Sequence, residues 1–404
     1  MYVAIMGYGV VGSGVAAVIK LNNEKISKAC GEQEVKVKYI LDLRKFPGDI
    51  NENLVIDDFN IILNDPEVKI VAETMGGVNP AFDFTSKLLK AGKSVVTSNK
   101  ELVAMKGREL LKIARENNVN FMFEASVGGG IPIIRPLIND LAANEILEID
   151  GILNGTTNYI LTQMLENNID FDAALKQAQS LGYAERDPSA DVDGLDACRK
   201  ICILAALSFG NHFYPQGVYT NGIREITLSD AAAAKSIECV IKLIASAKKN
   251  DDGKVSLSVS PCAVSSNTQL GNVGGVFNAV LVKGNAVDDV VFYGKGAGKM
   301  ATASAVVADI IDCARHIDKR LDFGWEDENP DKLADYSLDE GEFLIRAQGD
   351  RDELMSAFCA KSLHELENGE ICFESSKISF NELEKISSAL KNSKVLSSFK
   401  IMKF

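Results

Sequence analysis

The stretch Tyr2-Val3-Ala4-Ile5-Met6-Gly7-Tyr8-Gly9-Val10-Val11-Gly12 leaves this chain few folds to choose from. Residues 2–6 read as a short buried strand, and Ser13-Gly14-Val15-Ala16-Ala17-Val18-Ile19 reads as the start of a helix. Between them stands G-x-G-x-x-G, in the strand–turn–helix setting that its mechanism needs. Gly7 permits the tight turn, Gly9 lets backbone approach a pyrophosphate, and Gly12 lets the helix pack on the strand. The free N–H groups of the helix start then face the phosphates. A dinucleotide-binding βα unit is the expectation.

Alternating units continue it. Val35–Leu41 is a second strand that ends at Asp42-Leu43-Arg44-Lys45. An acid at that strand end suits the ribose hydroxyls of NAD, whereas Arg44 and Lys45 suit the extra phosphate of NADP, so both cofactors stay open. Strands over 69–74, 94–97 and 119–124 alternate with helices over 80–91 and 101–117. That order implies an α/β domain with a parallel sheet and helices on both faces, a Rossmann-type fold. Ligands then sit beyond the carboxyl ends of the strands. Two of these ends carry chemistry: Thr97-Ser98-Asn99-Lys100, with a lysine, and the Gly-rich turn Glu124 to Pro132. Exposed carbonyls and a carboxylate in that turn suit a hard monovalent cation, but composition alone favours a flexible interdomain hinge.

A chain of 404 residues is too long for one core and implies about two or three domains. Its net charge of −13 argues against nucleic acid and anionic membrane as partners. The longest strongly apolar run, 201–209, is too short to span a bilayer, and the Gly turn after Met6 leaves no room for a signal peptide. Eight cysteines form no CxxC pair and there are three histidines, so zinc is not expected and a reducing, cytoplasmic setting is.

The doubly wound pattern stops near residue 135. A strand over 145–153, the polar turn Asn154-Gly155-Thr156-Thr157-Asn158-Tyr159, helices over 170–181 and 191–209, and apolar stretches near 237–247, 254–264 and 275–283 describe an α+β domain with an open, mostly antiparallel sheet. The acid-rich loop Gly182 to Lys200 lies between the two helices and runs into the second. Asp196 and Lys200, four residues apart, share a helix face. Acids to hold an ammonium group and a lysine to move a proton suit an amino-acid substrate; an ordinary surface ion pair is the plainer alternative. A second Gly-rich turn, 294–302, precedes a helix from Ala303 to about Ile317 that could return to the cofactor domain.

Acids and a proline replace apolar periodicity at 322–337, which reads as a linker, and 342–404 follows the order βαββαβ. A ferredoxin-like fold fits that order. The expected division is 1–135, completed by 299–321, for the dinucleotide; 136–298 for substrate and dimerisation; 322–341 as linker; and 342–404 as a C-terminal unit.

Over residues 1 to about 320 these motifs resemble the homoserine dehydrogenase family. The match runs in order through Gly7–Val15, Val95–Lys100, Glu124–Pro132, Gly151–Leu161 and the spacing of Asp187-Pro188, Asp191, Gly194, Asp196 and Lys200. The resemblance implies NAD(P)-linked interconversion of L-aspartate 4-semialdehyde and L-homoserine, in a homodimer or homotetramer. It implies that Lys100 and Lys200 flank the reacting carbonyl, with Lys200 moving the proton and Asp196 orienting it. Glu185 holds the substrate amino group with Asp191 nearby, and Gly155 and Thr156 contact the substrate. The cofactor falls to Gly7, Gly9, Val10, Val11, Gly12, Asp42, Arg44, Thr74, Ser98, Lys100 and Gly298. Glu124, with the carbonyls of Val127, Gly129 and Ile131, would bind a sodium-type cation. The C-terminal unit resembles the ACT-type regulatory domain of many members, but Gly349-Asp350-Arg351-Asp352 replaces the usual Asp-x-Pro-Gly turn. A related amino-acid dehydrogenase, or a nucleotide-sensing regulator on the same fold, are the competing readings.

Overall fold

In the computed structural model, residues 1–317, 319–325, 328–360 and 362–404 are described. Positions 318, 326 and 327, which fall in the expected cofactor-domain completion and linker, lie outside them. The chain divides into two compact units: residues 1–145, 202–215 and 294–329, and residues 146–201, 216–293 and 330–404.

The first unit is built on six strands: β1 (Tyr2–Met6), β2 (Lys36–Leu41), β3 (Val55–Ile56), β4 (Val68–Glu73), β5 (Ser94–Thr97) and β6 (Phe121–Met122). They pair in the order β3-β2-β1-β4-β5-β6, every pair parallel. Strands buried on both faces need near-continuous apolar sequence, and Val3 to Met6 and Ile70 to Ala72 are all fully buried. The order reverses between β1 and β4, which opens the ligand crevice at their carboxyl ends. The helix Lys299–Arg315 crosses the helix Val10–Leu21 where Gly14 has no side chain; a Cβ there would stand 2.8 Å from the Lys299 carbonyl oxygen. The returning helix is thus part of the dinucleotide unit.

The second unit holds β7 (Ile146–Ile152), β8 (Tyr219–Thr220), β9 (Cys239–Lys249), β10 (Val255–Ser265), β11 (Phe277–Gly284), β12 (Asp288–Lys295), β13 (Glu340–Gly341), β14 (Phe343–Gly349), β15 (Leu363–Glu365), β16 (Ile371–Glu374), β17 (Ile378–Ser379) and β18 (Ser393–Met402). Nine of them form one path, β12-β11-β7-β9-β10-β18-β14-β16-β15, with β8 added beside β10. The sheet is mixed: β7, β9 and β10 run antiparallel in turn, while β8 and β18 both lie parallel to β10. The C-terminal strands therefore extend the central sheet instead of closing a sheet of their own, through Cys262, Ala263 and Val264 opposite Lys400, Ile401 and Met402. Within that extension the βαββαβ strands stand in the spatial order fourth, first, third, second. Phe343, Ile345, Leu354, Phe358, Phe373 and Leu383 make its core, so both of its helices cover one face. The short strand β17 lies off this path and pairs with β13.

A buried ion pair ties the extension to the rest of the unit. Arg346 on β14 donates through Nε to Asp230 Oδ1 at 2.7 Å and through Nη1 to Glu370 at 2.6 Å. Asp230 is fully buried and also closes the capping box of the helix Leu228–Ser236 with Thr227. Removing one partner of such a pair strands a buried charge and costs about 3–5 kcal/mol. Arg346→Ala should lower unfolding stability by about that amount in urea titration; a loss under about 1 kcal/mol would show that Asp230 finds other partners.

Candidate active site

In the first unit the glycine cradle has the shape its motif implies. Gly7 turns with φ +90°, and a Cβ on Gly12 would lie 1.9 Å from the Gly7 carbonyl oxygen. Around a Cβ on Gly9, by contrast, the nearest atom is Arg44 Nη2 at 4.0 Å. The one glycine meant to approach a pyrophosphate is the one with open space above it, which is the fit a dinucleotide needs. Thr74 pins the turn by donating its hydroxyl to the Gly7 carbonyl at 2.8 Å. Val10 is exposed and Val11 half-buried at the helix start, and Gly298, with φ +132°, caps the helix that crosses it.

At the end of β2 the Asp42 carboxylate is heavily engaged. It accepts from the Tyr8 N–H at 2.7 Å, the Arg44 N–H at 2.9 Å, and Arg44 Nε and Nη2 at 3.0 and 2.8 Å. The guanidinium holds the Asp42 pKa down to about 2. Arg44 itself remains largely exposed.

At the ends of β4 and β5, Ser98 and Lys100 are both half-buried, and Lys100 opens the helix Lys100–Glu116. Asn99 caps that helix by accepting from the Leu102 N–H at 3.1 Å and donates to the Gly77 carbonyl at 2.6 Å. Glu73, which joins this network through the Thr97 hydroxyl, carries no motif and was missed in the sequence, while Thr97 stood in a quoted stretch but was not read as a site residue.

The turn from Glu124 to Pro132 is a packed element rather than a hinge. Val127, Gly128, Gly129 and Ile131 are buried. Gly129 has φ +56°, and a Cβ on it would strike the Gly296 carbonyl oxygen at 2.3 Å. The Glu124 carboxylate accepts three backbone N–H groups, from Ile133 and Ile134 at 2.8 and 2.9 Å and from Arg135 at 2.8 Å. It closes the turn. Among the described residues no three His, Cys, Asp or Glu side chains gather as a metal site.

In the second unit, Lys200 and Asp196 do form a pair, and it is buried rather than a surface contact. Lys200 Nζ donates to Asp196 Oδ2 at 2.8 Å and to the Leu153 carbonyl at 2.7 Å. The two residues are 7% and 3% exposed. Asn154 completes the cluster: its amide donates to Asp196 Oδ2 at 2.9 Å and to Asp191 Oδ1 at 2.7 Å, while its carbonyl oxygen caps the helix Gly155–Asn167 through the Thr157 N–H at 2.9 Å. The helix expected over 191–209 is broken into Ser189–Val192 and Leu195–Phe209 at Gly194, which takes φ +82°. That break lets Asp191 and Asp196 converge on one amide.

Thr156 donates its hydroxyl to the Tyr183 carbonyl at 2.7 Å and holds the acid loop against the helix. Gly155 cannot carry a side chain, since a Cβ would sit 2.6 Å from the Val276 carbonyl oxygen. Glu185 is exposed on the loop, and its carboxylate ends none of the described hydrogen bonds. Asn154 stood in a quoted motif but was not read as a site residue; an Asn directly before a Gly-Thr-Thr helix start is an N-cap signal.

A parallel sheet with an open glycine cradle, and a buried lysine–aspartate pair beside an acid loop, define an NAD(P)-binding oxidoreductase acting on a small amino-acid substrate. Residues 7–124 match the family model described as homoserine dehydrogenase, NAD binding domain, and residues 132–311 match the homoserine dehydrogenase model. A homoserine dehydrogenase of Synechocystis is 42% identical over 333 residues, covering 81% of this chain and 75% of the relative. A crystal structure of a homoserine dehydrogenase from Thiobacillus denitrificans superposes with a TM-score of 0.90 at 33% identity, over 100% of this chain and 98% of that one. A hyperthermophilic archaeal homoserine dehydrogenase in complex with NADPH gives 0.65 at 30% identity, over 77% of this chain and 97% of that one. This chain belongs to the homoserine dehydrogenase family, whose activity serves aspartate-family amino-acid biosynthesis.

Asn154→Ala withdraws one cap and one amide shared by two carboxylates. The expected result is a loss of about 1 kcal/mol of stability with a disproportionate fall in kcat, measured by thermal unfolding and steady-state kinetics on the same sample. An unchanged kcat would make Asn154 a cap only.

Proposed function

We propose that Lys200 is the group that moves the proton in the interconversion of L-homoserine and L-aspartate 4-semialdehyde. Its buried pairing with Asp196, at 2.8 Å, is the observation that carries the reading. Bound nicotinamide supplies the hydride acceptor or donor. As homoserine is oxidised, the hydroxyl proton passes to the Lys200 amine; in the reverse direction Lys200 returns it to the oxygen on which negative charge develops. Asp196 and the Leu153 carbonyl orient Nζ. Lys100, at the end of β5, adds positive charge to the same oxygen, and Glu185 and Asp191 receive the substrate ammonium. Gly155 and Thr156 shape the floor under it. The intact lysine–aspartate pair speaks against a regulator that kept the fold without the chemistry.

The Asp42–Arg44 pair favours NADP. The Asp42 acceptor sites are already used, and the exposed Arg44 stands 4.0 Å from the Gly9 Cβ position, where a ribose phosphate would meet it. Ser98 and Gly298 join the cradle residues in holding the cofactor. A sodium-type cation would sit on the carbonyls of Val127, Gly129 and Ile131, with Glu124 fixing the turn that presents them. The C-terminal 342–404 segment is ACT-like by its strand order, and the mature assembly is a homodimer or homotetramer in a cytoplasmic setting. All eight cysteines are free, which agrees with that compartment, and among the described residues no helix is long and apolar enough to cross a membrane.

Homoserine oxidation assayed with NAD and with NADP tests the activity and the cofactor preference together. Lys200→Ala should reduce kcat by about 10²–10⁴-fold while cofactor affinity, from equilibrium titration, stays near that of the parent. A variant with near-parental kcat would leave Lys200 a structural ion-pair residue. Glu185→Gln should raise the homoserine KM by roughly tenfold or more, as expected for losing a charge-assisted hydrogen bond of about 1.5–3 kcal/mol, with little change in the cofactor KM. If the homoserine KM does not move, the ammonium is held elsewhere.

A further inference from the structure

Glu73 is a buried carboxylate that the chemistry above does not use. It is the last residue of β4 and lies at the crossover edge of the first unit. In register it stands between Met6, which leads into the glycine cradle, and Thr97, which leads into Ser98-Asn99-Lys100. It has no solvent exposure. Its Oε2 accepts the Thr97 hydroxyl at 2.6 Å, and its Oε1 accepts the Met75 N–H at 2.8 Å. Burial raises its pKa above the ordinary carboxylate value, and the Thr97 hydroxyl, the Met75 N–H, the Asn99 amide and the Gly76 N–H offset that rise only in part. Every one of these neighbours is a neutral dipole. That is unusual, because carboxylates are almost never fully buried unless paired, and a buried negative charge held by dipoles alone is costly.

The fold says where a compensating charge can come from. The end of β2 takes the adenosine ribose and the cradle takes the pyrophosphate, so the second half of a dinucleotide lies over the ends of β4 and β5. The oxidised nicotinamide ring carries a positive charge there and the reduced ring carries none. We propose that Glu73 is the counter-charge for the oxidised nicotinamide, a positioning residue that biases the bound cofactor toward its oxidised form. The carboxylate acts through the loop Thr74-Met75-Gly76-Gly77 and not by contact with the reacting atoms. The same hydrogen bonds would also order that loop, and the two roles separate in one measurement: loop order affects both redox forms of the cofactor, whereas a counter-charge affects only one.

The inference rests on the dinucleotide reading of the first unit but not on the identity of the substrate. The test is therefore a binding experiment on the full chain, with NADP+ and NADPH titrated separately by calorimetry. Glu73→Gln should weaken NADP+ on the order of tenfold, the effect of one charge at a separation of roughly 10 Å through an interior of effective dielectric near 20, and leave NADPH within about twofold. Thr97→Val withdraws one hydrogen bond from the charged form while keeping the side-chain shape, and should shift the same ratio in the same direction by about threefold. It carries the test if Glu73→Gln does not fold. Equal weakening of both forms, or an unchanged ratio in either folded variant, overturns the proposal and leaves Glu73 a loop-ordering residue. If the parent chain binds neither form, the dinucleotide reading itself fails, a result distinct from an unchanged ratio.

Discussion

A lysine ammonium can stay inside a protein only where its lost hydration is replaced, and Lys200 meets that condition at the junction of three segments. The Leu153 carbonyl comes from the end of β7, Asp196 from its own helix one turn earlier, and Asn154 from the cap of the next helix. Breaking any of them leaves a buried charge or a buried acceptor without its partner, which costs more than the pair itself contributes. The strand end, the helix start and the acid loop are therefore held in one arrangement by a single requirement. The loop gains a fixed base against which an exposed carboxylate such as Glu185 can be presented.

The first unit answers a different constraint, close approach of backbone to backbone. Gly12 and Gly14 are places where a Cβ would collide with a carbonyl, while Gly9 is a place where space is kept open. Polar groups around that crevice are paired with care. Asp42 is neutralised by Arg44, and Glu124 spends its carboxylate on three backbone amides. Glu73, at the strand end that faces the ligand crevice, is likewise held by neutral donors, the Thr97 hydroxyl and the Met75 N–H.

Much of this was legible in the chain because it is local. The β1 turn, the order of βα units and the four-residue spacing of Asp196 and Lys200 follow from periodicity, glycine positions and helix geometry. Short elements were missed where the local signal is weak, such as the helices Asn23–Ala29 and Phe59–Asn64 and the strand β12. The helix Leu228–Ser236 did carry a signal, the Thr227–Asp230 capping box, which went unread. Gly194 was read inside a helix, although a glycine in a helical pattern is itself a warning of a break. The Gly-rich turn after Glu124 shows the opposite limit. Composition is the same for a hinge and for a turn that needs glycine because another backbone presses on it, and only the neighbouring Gly296 decides between them.

The sequence by itself determined the parallel nucleotide-binding unit, the βαββαβ order of residues 342–404 and the helical face shared by Asp196 and Lys200. Each depends on residues within a few turns of one another. Tertiary structure alone decided that the pair is buried, that Asn154 joins Asp191 to Asp196, and that β18 lies along β10 so that the C-terminal strands extend the central sheet. Those outcomes depend on hydrogen-bonding groups far apart in the chain, and a strand edge carries no mark of which distant strand will satisfy it.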